Sequence, residues 1–102
     1  MAYLGDAIDA ALAAAAGEDH ALFRELARAF VESAETQLDL LQRARCDVNW
    51  SVAALRLQSL AATFHAADLS ALADQALAGA PGDPVVLRRL QGAIRALAKA
   101  IE

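Results

Sequence analysis

The chain has little with which to staple or interrupt itself. Cysteine occurs once, at Cys46, so no intramolecular disulfide can form, and that usage fits a reducing compartment. Only five glycines and two prolines are spread over 102 residues, so breaks are few and each is informative. Val, Ile and Thr together supply ten positions, and no segment alternates apolar and polar residues with period two, which excludes a substantial β-sheet. Positive charge is scarce: nine basic against thirteen acidic residues give a net charge of −4 and a pI near 5.0. Nucleic-acid binding needs clustered Lys and Arg to neutralise phosphates, so that class is disfavoured. The densest basic group, Arg88 and Arg89 with Arg95 and Lys99 further on, alternates with apolar residues and reads as the solvated face of a helix. Long apolar runs are missing too. Leu57–Ala67 is uncharged but far too short to span a bilayer, and Met1–Asp9 carries two Asp and no Lys or Arg, unlike a secretory signal. A soluble, cytoplasmic protein without a membrane partner is expected.

Alanine and leucine dominate instead, at 28 and 16 positions. Both are strong helix formers, and so much Ala suits close packing of helices. The length matches one domain spanning residues 1–102. A short first helix is expected from about Leu4 to Ala16, closed by Gly17, with Asp19 capping the next. From His20 to about Arg45, apolar residues at Phe23, Ala27, Phe30, Ala34, Leu38 and Leu41 form one stripe of a long amphipathic helix. Cys46-Asp47-Val48-Asn49 breaks that pattern, with Asp47 or Asn49 as the next cap. The stretch after Trp50 is apolar on several faces, through Val52, Leu55, Leu57, Leu60, Phe64, Leu69, Leu72 and Leu77. That suggests a central helix, with a kink or break near Phe64–Ala67. Gly79-Ala80-Pro81-Gly82-Asp83-Pro84 is the clearest loop, and a last helix starts at Pro84 under an Asp83 cap. The expected architecture is all-α: an up-and-down four-helix bundle with the additional short N-terminal helix packed at one end.

Enzymatic constellations are hard to find. His20 and His65 are far apart in sequence and neither is spaced with another His or a Cys as metal ligands are. His65 and Asp68 could meet on one turn, but two ligands do not make a metal site; a helix-end or packing histidine is the simpler reading. There is no glycine-rich phosphate loop. Cys46 has no neighbouring His to activate it, and Trp50 reads as a core anchor at a helix start. The residues imply no enzyme, no metal and no cofactor.

One stretch carries more. Ala53-Ala54-Leu55-Arg56-Leu57-Gln58-Ser59-Leu60-Ala61-Ala62-Thr63-Phe64-His65-Ala66-Ala67-Asp68-Leu69 resembles the central motif of histidine phosphotransfer (HPt) domains, which reads A-A-H-x-L-K-G-S-A-x-x-[FIVL]-G-A-x-x-L. The resemblance extends along the chain: Gly17–Phe23 resembles the opening of the family's second helix, Phe30 stands at its usual aromatic position, and the Asp47–Trp50 turn and closing helix fit as well. It implies an HPt-like bundle in two-component phosphorelay signalling. The departures fall on the chemistry. Leu55 stands where the family has its phospho-accepting His, Gln58 where it has Lys, Ser59 where it has Gly, and His65 where it has a second Gly. Phosphotransfer needs an imidazole nitrogen to attack an aspartyl phosphate, and a Leu side chain has no nucleophile. Trp50 lies about a turn closer to Leu55 than the family has it to its His. Shifting the register by three places Gln58 at the acceptor position, and neither register offers a His there.

The resemblance therefore implies a non-catalytic HPt-like protein that binds a response-regulator receiver domain or a histidine kinase without passing phosphate, as a monomer or weak homodimer. The candidate docking face comprises Ser51, Leu55, Gln58, Ser59 and Ala62, with Arg56 at its edge; alternatively Leu55 packs in the bundle core. Two other functions stay open: active phosphotransfer through His65 or His20, and a helical scaffold or assembly subunit outside signalling.

Overall fold

Each break expected from the sequence ends a helix in the computed structural model, which describes residues 3–102. The helices are α1 (Asp6–Ala16), α2 (His20–Arg43), α3 (Asp47–Thr63), α4 (Ala67–Ala78) and α5 (Pro84–Ala100), and the described residues contain no strand. Met1 and Ala2 lie outside them. Gly17 ends α1 with φ 63°, a left-handed conformation that glycine adopts without steric cost, and its N–H donates to the Ala13 carbonyl at 2.8 Å. The Asp19 carboxylate then accepts from the Leu22 N–H at 3.0 Å, and the Asp83 carboxylate accepts from the Val85 N–H at 3.0 Å ahead of α5.

Three boundaries differ from expectation: α1 begins at Asp6 rather than Leu4, because Gly5, at φ 122°, stands outside helical geometry as its cap. α2 stops at Arg43 rather than Arg45, because Ala44 turns extended and is buried under the chain's next turn. Neither Asp47 nor Asn49 caps α3: both lie inside it, and Cys46 occupies the extended cap position with no side-chain hydrogen bond. Asp47 sits instead in the first turn, where the helix dipole favours a carboxylate.

Contacts run around a ring: α2 packs on α3, α3 on α4, α4 on α5 and α5 back on α2, while the backbones of the diagonal pairs stay apart across the shared core. Links of three to five residues turn each helix back along its predecessor, as in antiparallel bundles. The shape follows from the long α2: the molecule measures 43 × 21 × 18 Å. Trp50, Phe30, Leu12, Leu41, Leu57, Leu90, Ile94 and Val31 are the largest fully buried side chains. Between them lie buried alanines such as Ala34, Ala54, Ala73 and Ala76, which let the helices approach closely. Leu4, Ile8 and Leu12 join this core, α1 packs on α2, and residues 4–8 share an open cleft with residues 65–69 and with Ala93, Ala96 and Leu97 of α5.

Trp50 ties the two ends of the α3–α4 pair together. Its ring is buried and its indole N–H donates to the Ala76 carbonyl at 2.7 Å. That carbonyl lies in the last turn of α4, where helix carbonyls lack intrahelical partners, and it also receives the Gly79 N–H. The one polar atom of the indole is satisfied, as burial of a tryptophan demands.

Candidate functional site

α3 contacts only α2 and α4 among the helices, so it keeps an outer face, and its apolar residues form two stripes. Trp50, Ala53, Ala54, Leu57 and Ala61 are buried and face the bundle. The second stripe is Val48, Val52, Leu55 and Ala62, interrupted by the polar Ser59; the five positions step by four, three, four and three, and each is exposed. Val48 is 69% exposed, Leu55 49% and Val52 39%, where a core residue would be near zero. α3 is therefore not a central helix apolar all round. A helix with two stripes can turn only one inward, and the heavier one with Trp50 and Leu57 takes the core.

The sequence-derived face maps onto this outer surface. Leu55, Arg56, Ser59 and Ala62 are exposed, while Ser51 and Gln58 are half-buried along its margin. The core alternative for Leu55 does not hold. Val48 and Val52, which the sequence reading left out of the face, extend the apolar stripe by two turns toward the start of α3. Their four–three spacing with Leu55 was visible in the sequence, but nothing there told which stripe would face inward.

Gln58 is held in place: its amide donates to the Asp74 carboxylate on α4. A carboxylate therefore borders the face where the HPt motif has the cation that favours a phosphoryl group. Arg56 is the one cation among the six face residues. The face thus holds no imidazole, an amide at position 58 and the Asp74 carboxylate alongside.

The turn after α3 closes with a defined cap. The Ala66 N–H donates to the Ala61 carbonyl at 2.8 Å and the His65 N–H to the Ala62 carbonyl at 3.3 Å, which is the paired hydrogen bonding of a Schellman cap. His65 occupies the left-handed position of that cap, with φ 56°. Glycine is the usual residue there, and His is one of the few others found in this region. His65 is exposed at the helix end, ten residues or roughly 15 Å of helix beyond Leu55. It is a helix-end residue rather than a packing one. His20 is exposed in the first turn of α2, so neither histidine lies on the outer stripe of α3.

Comparison with family models, with curated proteins and with solved structures finds no match. The geometry of the face has to carry the functional reading. Among the described residues no three His, Cys, Asp or Glu side chains come together as a metal site, and no helix is long and apolar enough to cross a membrane.

Proposed function

We propose that the chain is an HPt-like binding protein of phosphorelay signalling that docks a response-regulator receiver domain, or a histidine kinase, through α3 without passing phosphate. The reading rests on one observation: Leu55, at the place of the motif's phospho-accepting His, stands half exposed on an outward face beside the exposed Val52 and Val48. Exposed apolar residues in a contiguous row mark interaction sites, since a soluble surface gains nothing by displaying them. The left-handed cap at His65, where the motif has its second Gly, supports the same register.

Docking would place the stripe against an apolar patch on the partner, with Arg56 and Asp74 on its margins setting orientation. No phosphoryl group would move, because the face has no nucleophile to receive it.

The test is to mix the protein with a panel of receiver domains carrying labelled aspartyl phosphate, and separately with histidine kinases. The expected outcome is saturable binding to at least one of them, with no acid-labile label on the chain. Labelled phosphohistidine at His65 or His20 would overturn the reading, and so would the absence of binding across the panel.

A further inference from the structure

At the end of the bundle where α2 begins and α5 finishes, a cleft of about 540 Å³ opens to solvent. Phe23, Ala27 and Ile101 supply an apolar floor, and His20, Arg24 and Arg28 stand along one wall. Phe23 and Ile101 are only partly buried against the core, so each leaves apolar surface facing the cleft.

The wall has an unusual charge pattern. His20, Arg24 and Arg28 are spaced four residues apart, which stacks them on one side of α2. The two arginines repel at that spacing, and neither has an ion-pair or hydrogen-bond partner among the described residues. This occurs in a chain whose net charge is −4. The two guanidinium groups outnumber the one carboxylate on the cleft, that of Glu102, so the lining carries a net positive charge that attracts an anion.

We infer that this cleft binds an amphipathic organic monoanion, an alkyl carboxylate. The chain of such a ligand would cover Phe23 and Ile101, and its head would lie between the two guanidinium forks, whose geometry matches a carboxylate. Glu102 also lines the cleft and repels a second negative charge, which favours a carboxylate over a phosphate dianion. The volume lies within the roughly 300–1,000 Å³ typical of small-molecule sites.

The experiment is a titration of the full chain with decanoate below its micellar concentration, followed calorimetrically and by backbone amide shifts. Decanoate is expected to bind saturably, with shifts confined to residues 20–28 and 98–102. Acetate, decanol and inorganic phosphate should each bind at least tenfold more weakly, since each lacks the tail, the charge or the single charge. The exposed pair Arg24→Gln with Arg28→Gln should weaken decanoate at least tenfold while leaving the helical circular dichroism unchanged. The inference is overturned if decanoate does not saturate, if the double variant binds it equally well, or if phosphate matches it. Shifts centred on Leu55 instead would also overturn it, by showing that any apolar ligand simply covers the stripe on α3.

Discussion

Single residues in this protein do work that their type alone does not announce. Trp50 is both the largest buried side chain and the donor to the Ala76 carbonyl, so it packs and pins at once. Trp50→Phe removes the hydrogen bond and leaves unfilled volume; a loss of about 1–3 kcal/mol is expected in chemical denaturation. His65 is defined by its backbone. At φ 56° a β-branched residue is strongly disfavoured, so His65→Val should destabilise by about 1–2 kcal/mol, whereas His65→Gly should cost nothing. In a domain of this size each kcal/mol corresponds to roughly 4–8 °C of Tm, so thermal melts of the two variants should separate clearly. Equal losses in both would mean that the imidazole, and not the backbone, matters at this position.

At the scale of the element, α3 is the part of the molecule where one apolar stripe is buried and a second is left exposed. Leu55 and Leu57 are two residues apart, yet one is 49% exposed and the other fully buried. Leu55→Asp should change stability by less than about 1 kcal/mol, the residual cost coming from the lower helix propensity of Asp. Leu57→Asp places an unpaired carboxylate in the core and should prevent stable folding. If the outer stripe is the docking surface, Leu55→Asp should weaken partner binding at least tenfold at an unchanged melting temperature. Binding that survives this change, in a protein that melts as the wild type does, would remove Leu55 from the interface.

For the whole molecule, the proposed HPt-like reading makes a prediction about phosphate transfer. Leu55→His with Gln58→Lys and Ser59→Gly rebuilds the motif on the outer face of α3. The hydrogen bond from Gln58 to Asp74 makes the outcome specific. A lysine at position 58 would be drawn to the Asp74 carboxylate and its charge spent there, so the triple change should accept phosphate weakly. Adding Asp74→Asn should raise the yield of phosphohistidine, because the cation is then free to meet the incoming phosphoryl group. Ser59→Gly removes a side chain from an exposed helix position at a cost of about 0.5–1 kcal/mol, which leaves the bundle folded. Labelled transfer from a receiver that binds the wild type measures both steps. A folded quadruple variant that binds but takes no label would mean that the register, with Leu55 at the acceptor position, is wrong.

The division between what the sequence determined and what the tertiary structure decided follows the range of the interactions. All five helices, the Gly17 stop, the Asp19 and Asp83 caps and the break after Phe64 were legible, because each depends on propensity, spacing or a cap within a few residues. The cap at Cys46 and the early end of α2 were not, since burial of Ala44 overrode the local preference for Asp47 or Asn49. The candidate face was legible as a set of residues on one side of a helix, but not as a surface. α3 carries two apolar stripes, and the choice between them depended on which one could bury Trp50 and Leu57 against α2 and α4. The same holds for Gln58 and Asp74, sixteen residues apart, and for the cleft that joins His20, Arg24 and Arg28 to Ile101 and Glu102. Such juxtapositions exist only once the helices have packed, because local preferences do not specify which faces of distant helices meet.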